Sequence, residues 1–403
     1  MNRMIRRIAA MTAAALLLVS AGAALAEVTA EKTTEKDKVT KITWKDEQGY
    51  VAAGPEGYAS VRYKYAGAKT TETYYGTDGE PYEMPSGYYG RAVTTDNKKR
   101  VARIDYLGKD GKPTMTKPGY ASVSYSYYSF NAEHKVIYYN ERGKMVKVPS
   151  LGYAQIENSY SGWKLVGRKY MDEKGKPAES IRDGYATMTM KMNRKHTEVI
   201  RITYTHADGS PAAGPEGWHR CEIDRDKKER ASEIRYYDEQ DNLTDRGGYA
   251  KETYTYDKEG DMLISRYDAK GNRISFGGDA VILFRRVKDD AIQVETYMNE
   301  AEEIITMPEG YSTIEYSYNK NGQLTLVQYR NAAGDRVKCS KGYSAVQTLW
   351  DVQGRLLSRA YLDEAGQSVN STDGVCTEQY TYDEDGRITK VVRLNAEGKT
   401  VTD

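Results

Sequence analysis

The chain has 403 residues, 59 of them Lys or Arg and 58 Asp or Glu, for a formal net charge of +1. So even a balance gives no global field to steer the protein toward nucleic acid or anionic lipid, and nucleic-acid binding is set aside. Three Cys cannot all pair within one chain, and 36 Tyr against 3 Phe and 4 Trp suit a thin sheet with wet phenol tips better than a thick disulfide-held core.

In chain order, Met1 to Ala26 carries Arg3, Arg6 and Arg7, an apolar run around Ala13 to Val19, and the small-residue close Ala24-Leu25-Ala26. This pattern predicts a secretory signal peptide over residues 1–26, and hence a secreted protein, periplasmic or extracellular, with a place at a bacterial cell surface compatible. The run is too short for a permanent anchor and no comparable one follows, so no stable membrane insertion is expected. The first Cys is Cys221, which argues against lipid attachment behind the cleavage site. Residues 27–40, dense in Lys, Glu and Thr, read as a flexible charged leader. Ile42 and Trp44, ahead of Asp46, look like the second strand of a truncated repeat that caps the first edge.

From residue 41 to 403 the chain repeats itself about every 32 residues. Gly precedes an aromatic residue at Tyr58, Tyr88, Tyr120, Tyr153, Tyr185, Trp218, Tyr249, Tyr311 and Tyr343. Degenerate copies at Gly278-Asp279 and Gly374-Val375 complete about eleven repeats. After each step apolar and polar residues alternate: Ala59, Val61, Tyr63 and Tyr65 against Ser60, Arg62 and Lys64, or Ala186, Met188, Met190 and Met192 against Thr187, Thr189 and Lys191. A period of two means a half-buried strand. The strand ends in a turn seen at Asp257 to Gly260, Asn319 to Gly322, Asp351 to Gly354 and Asp383 to Gly386. An Asx side chain and a Gly three residues on close a hairpin. A second strand, such as Val136 to Tyr139 or Leu324 to Tyr329, leads to a second turn of the same chemistry, as at Asn140 to Gly143 and Asp172 to Gly175.

The ten prolines phase the pattern independently. Pro81, Pro113, Pro177 and Pro211 lie just after the second turn, and Pro55, Pro85, Pro118, Pro149, Pro215 and Pro308 just before the next Gly-aromatic step. None falls in a strand, as the missing N–H requires. The predicted fold is therefore all-β: an elongated tandem array of β-hairpin repeats, either a solenoid or a coiled antiparallel sheet. No separate domain is expected after the last turn.

The segment Tyr380-Thr381-Tyr382-Asp383-Glu384-Asp385-Gly386-Arg387-Ile388 resembles the YD (RHS) repeats of bacterial surface and secreted proteins, as do Tyr254 to Gly260 and Tyr316 to Leu324. The resemblance extends over nearly the whole mature chain as a short degenerate motif. It implies β-hairpin architecture; in that family long arrays wrap into a hollow shell around a C-terminal toxin, and some act at cell surfaces. The present repeat is longer, with its proline-bearing connector, and no C-terminal cargo or self-cleavage region is expected. A looser likeness is to aromatic cell-wall-binding hairpin repeats, without their Trp-rich ligand cage.

Catalysis finds no support in the residues: no nucleophile elbow, no Ser, His and carboxylate at readable spacing, and no phosphate loop before a helix. His134, His196, His206 and His219 are scattered without metal-ligand spacing, and Asp383, Glu384 and Asp385 form an ordinary turn rather than a calcium loop, so no metal and no cofactor is expected. Cys221 and Cys376 take positions of small buried hydrophobes, and a bridge from Cys339 to Cys376 is conceivable. The tyrosines at inward positions read as strand packing. The aromatics that follow the repeat glycines (Tyr58, Tyr88, Tyr120, Tyr153, Tyr185, Trp218, Tyr249, Tyr311 and Tyr343) are expected to face outward, as a stripe on which sugar rings or an extended peptide would stack. The leading expectation is a non-enzymatic protein that binds cell-wall glycan or another surface polymer or protein through that stripe. The alternatives are a structural spacer or protein-interaction scaffold, and a fragment-like relative of RHS delivery shells. The degenerate stretch Phe276 to Arg286 reads as a packing variant or a partner-docking patch.

Overall fold

In a computed structural model, residues 28–289, 291–383 and 386–401 are described; the expected signal peptide lies outside them. The described residues form two compact units, 28–221 with 238–241 and 222–237 with 242–401. Both are all-β. Among the described residues there are twenty-five strands, antiparallel in every recorded pairing, and no helix.

The repeat at Gly119 shows how the sequence writes the fold. Ser122–Tyr127 pairs with Glu133–Tyr139 in the register Ser122 to Tyr139 and Ser124 to Ile137. At Asn140, Oδ1 accepts the backbone N–H groups of Arg142 and Lys144, both at 3.0 Å, while Gly143 adopts φ 72°. That is the Asx-turn chemistry expected from the sequence, and it recurs at Asp46, Asp172, Asp268 and Asn331. The alternation also holds in the repeat at Gly184, where Ala186, Met188 and Met190 are buried and Thr189 and Lys191 exposed.

The connector does more than span a gap. Pro81 bridges Tyr75, while its neighbours make the two bonds: the Gly76 N–H donates to the Glu80 carbonyl and the Tyr82 N–H to the Tyr74 carbonyl. Proline thus sits at the one rung that needs no N–H. A third tight turn follows. The Met84 N–H donates to the Tyr88 carbonyl and the Gly87 N–H to the Met84 carbonyl, with Gly87 at φ 86°. The same closure recurs at Thr116 to Gly119, Gly214 to Gly217, Met307 to Gly310 and Cys339 to Gly342. The repeat glycine is therefore a turn residue at positive φ, a conformation that costs other residues about 1 kcal/mol or more.

The charged leader is not a leader in the structure. Thr29–Glu35 is a strand, paired with Lys38–Lys45 through a two-residue turn in which Lys36 and Asp37 have φ of 47° and 62°. The sequence TAEKTTE is exposed along its whole length, and its charges blunt an edge strand rather than unravel it. The Trp44 ring lies over Gly54, where an added Cβ would fall 2.3 Å from its Cδ1. Cys221, Cys339 and Cys376 are buried free thiols, so the conceivable bridge between the last two is absent.

Candidate functional site

The aromatic residues after the repeat glycines do not face outward. Tyr58, Tyr153, Tyr185, Trp218 and Tyr343 are buried, and Tyr88, Tyr120, Tyr249 and Tyr311 are half-buried. The reason is the third turn. Period-two alternation begins only with the strand at Ser60; before it Tyr58 and Ala59 are consecutive and both buried, 9% and 0% exposed. Extending the alternation back by one residue assigned these rings to the wrong side.

Each ring instead packs against the tyrosine of the second strand. In the first compact unit the centroids run Tyr58, Tyr74, Tyr88, Tyr106, Tyr120, Tyr138, Tyr153, Tyr170, Tyr185, Tyr204, Trp218 without interruption. Contacts within a hairpin are close, 4.8 Å for Tyr58 to Tyr74 and 4.7 Å for Tyr153 to Tyr170. Contacts to the next repeat are looser, 6.1 Å for Tyr74 to Tyr88 and 6.2 Å for Tyr138 to Tyr153. In the second unit the same file runs from Tyr297 through Tyr311, Tyr329 and Tyr343 to Tyr361. Most of these contacts are tilted or edge-on, the arrangement ring quadrupoles prefer. Burial raises the phenols, pushing Tyr58, Tyr153 and Tyr343 up to about 12 and Tyr74, Tyr138 and Tyr170 higher still.

One repeat changes the pieces while keeping the file. Arg266 stands where other second strands carry tyrosine, with its guanidinium 4.5 Å from the Tyr249 ring centre and 4.6 Å from that of Phe276. The preceding repeat has the converse arrangement, Arg246 over Tyr236 at 5.2 Å. The degenerate stretch at Phe276 is thus a packing variant, a cation exchanged for a ring.

A second use of tyrosine was not legible beforehand. A tyrosine at the end of the first strand, or one residue before it at Tyr65, reaches back to the preceding repeat: Tyr65 Oη donates to the Val39 carbonyl, Tyr127 to Val101, Tyr256 to Ala231, Tyr318 to Ile292 and Tyr382 to Leu356, at 2.7 to 2.9 Å. Phe has no hydroxyl with which to do this. Carboxylates under the rings are spoken for as well. Glu72 accepts from Tyr74 Oη at 2.7 Å and Arg91 Nε at 2.6 Å, and Glu295 from Tyr316 Oη at 2.7 Å and Arg285 Nε at 2.9 Å. A carboxylate held by both a guanidinium and a phenol is a structural anchor.

No group of three or more His, Cys, Asp or Glu among the described residues could hold a metal ion. His206 Nδ1 lies 3.2 Å from Glu179 Oε1 and His134 Nε2 3.6 Å from Glu157 Oε1, both at the surface, while His219 is buried. At the Asp383 turn, Oδ1 accepts the Arg387 N–H at 2.8 Å; Glu384 and Asp385 lie outside the described residues. No helix among the described residues is long and apolar enough to cross a membrane. At one pair of hairpin tips Trp163 is 78% exposed, beside the half-buried rings of Tyr128, Phe130 and Tyr160. The sequence signal was available, since Tyr128 stands where other first turns begin with Asp or Asn.

These features define an all-β tandem hairpin-repeat protein. No family model matches the chain, and no curated protein does. Solved structures similar to it include the crystal structure of TcdB2-TccC3-Cdc42, at 11% identity over 92% of this chain and TM-score 0.30. Others are TcdB2-TccC3-TEV, at 9% identity over 90% and TM-score 0.30, and TcdB2-TccC3 without its hypervariable C-terminal region, at 11% over 93% and TM-score 0.19. The chain spans 18%, 21% and 22% of those chains. At such scores the similarity assigns no function.

Proposed function

We propose that the chain is a non-enzymatic scaffold, a spacer or protein-interaction array, exported through its N-terminal segment to the periplasm or the cell exterior. One observation carries the reading: the repeated aromatics have their faces occupied by neighbouring rings, so they hold repeats together instead of presenting a stripe to glycan. The tyrosine hydroxyls that tie each first strand to the repeat before it point the same way. A hairpin alone is marginal in water, and both devices exist to couple it to its neighbours.

The test is replacement of Tyr120, Tyr153 and Tyr185 by Ala. Loss of a buried ring costs about 3–5 kcal/mol, with less for the half-buried Tyr120, so denaturant and thermal midpoints fall sharply. Sedimentation with isolated cell wall, measured below the lowered midpoint, stays at the wild-type level. A variant that kept its midpoint and lost wall sedimentation would return these rings to a binding role. Export is tested separately, by fractionating cells that express the chain with and without residues 1–26.

A further inference from the structure

We infer that the tips of two adjacent hairpins, around Trp163, form a platform that binds one ring of a neutral polysaccharide. The hairpins are Ser122–Tyr127 with Glu133–Tyr139 and Gln155–Ser161 with Lys164–Met171. At their tips Tyr128 stacks on Phe130 at 5.3 Å, Tyr160 lies 5.4 Å from Phe130, and Trp163 meets Phe130 edge to face at 5.0 Å and 71°. Trp163 remains 78% exposed. An edge-to-face contact covers one part of the indole and leaves an open π face, the surface on which the C–H face of a pyranose stacks.

Two observations separate this cluster from ordinary repeat packing. The first is that the local turn chemistry is given up here. Asp96, at the same place one repeat earlier, accepts the N–H groups of Lys98 at 2.8 Å and Arg100 at 3.0 Å, as Asp226 does for Lys228 and Arg230. Tyr128 has no such acceptor. The Asx acceptor is exchanged for a ring, a departure from the local rule of the kind found at functional sites. The second is that the rings are held in place from below. Tyr128 Oη donates to the Asn158 carbonyl at 3.1 Å, and Asn158, 2% exposed, takes the Arg168 Nε at 2.9 Å and donates to the Glu133 carbonyl at 3.3 Å. From the preceding repeat Lys98 Nζ reaches the Ser129 carbonyl at 2.9 Å and Arg100 the Asn131 Oδ1 at 2.9 Å. A site preorganised this way loses little entropy on binding.

The surroundings select the ligand class. The charges at the tips are largely neutralised locally: Arg100 pairs with Asp96, Lys164 with Glu198 and Lys135 with Glu157, while Lys98 is held on the Ser129 carbonyl. The nearby Lys, Arg and His side chains disfavour a quaternary ammonium. One open indole with partly covered neighbours falls far short of the roughly 800 Å² per partner of a stable protein interface. An uncharged polyol, stacking on the indole and bonding to the polar rim, satisfies all three constraints.

The test uses the full chain in affinity electrophoresis through gels containing hydroxyethylcellulose, xylan or glucomannan, with tryptophan fluorescence titration against the matching hexasaccharides. Wild type is retarded by at least one polymer and its fluorescence shifts. Trp163→Ala weakens binding at least tenfold at an unchanged melting temperature, Trp163→Phe restores part of it, and Phe130→Ala weakens it less. The inference is overturned if no polymer retards wild type, or if Trp163→Ala binds equally well. It is equally overturned if Trp163 governs only self-association or adsorption to phosphatidylcholine vesicles. None of these results bears on the Tyr120, Tyr153 and Tyr185 test, so the platform and the scaffold reading fail separately.

Discussion

Raising the pH should dismantle the ring file from within, abruptly. Tyr58 and Tyr153 are 9% and 8% exposed, and burial pushes both phenols up to about 12, whereas in the unfolded chain they ionise near the ordinary tyrosine value of 10.0. Between these values the unfolded state has lost a proton that the folded state retains. Stability is therefore fully present below pH 10 and drains away as pH rises toward 12. Each such phenol contributes about 1.4 kcal/mol per pH unit, so these two alone remove about 5 kcal/mol over the window. Tyr74, Tyr170 and Tyr204, also buried and also raised, steepen the loss. The total stability of a typical domain is about 5–15 kcal/mol, so unfolding falls inside the window. The assay follows phenolate absorbance and far-ultraviolet circular dichroism together. The phenolate signal of the buried file appears in one step together with loss of the β spectrum. A single smooth titration near pH 10 with the β spectrum intact would refute the buried file.

Four substitutions test other parts of the repeat by urea denaturation. Gly54→Ala drives a Cβ into the Trp44 ring and Gly214→Ala into Tyr204, 2.4 Å from its Cε2, so each is expected to cost about 1–3 kcal/mol; a neutral result would mean the rings do not rest on those glycines. Lys99 holds φ 64° at the end of the Asp96 turn, where other repeats have glycine, and Lys99→Gly is expected to stabilise by roughly 0.5–1 kcal/mol. His219 is 7% exposed, with Nδ1 unpartnered, at a position where Ala59, Ala121, Ala154 and Ala186 are fully buried; His219→Ala is expected to raise stability by about 1 kcal/mol.

Much of this architecture could be read in advance because its determinants are local. Asn140 with Gly143 names a turn, Met188 and Met190 name a buried face, and Pro81 names a place with no ladder donor to supply. What eluded the sequence was relational. The direction of Tyr58 depends on a turn that closes back on its own carbonyl, and the pairing of Tyr58 with Tyr74 joins residues whose separation carries no period of its own. The strand at Thr29–Glu35 was hidden by its charge, since an edge needs no apolar residues to pair. The hydroxyl ties from Tyr127 and Tyr256 to the preceding repeats link residues of different repeats and leave no mark on either strand.

The alternation of close and loose ring contacts, 4.9 Å for Tyr88 to Tyr106 and then 5.7 Å for Tyr106 to Tyr120, also sets how the array answers a mechanical load. Tension divides it at the looser junctions, so extension releases one hairpin at a time, each yielding roughly 32 residues, or on the order of 110 Å of slack. A tether built this way would lengthen in steps, because each released hairpin gives up its turns and its closest ring pair together.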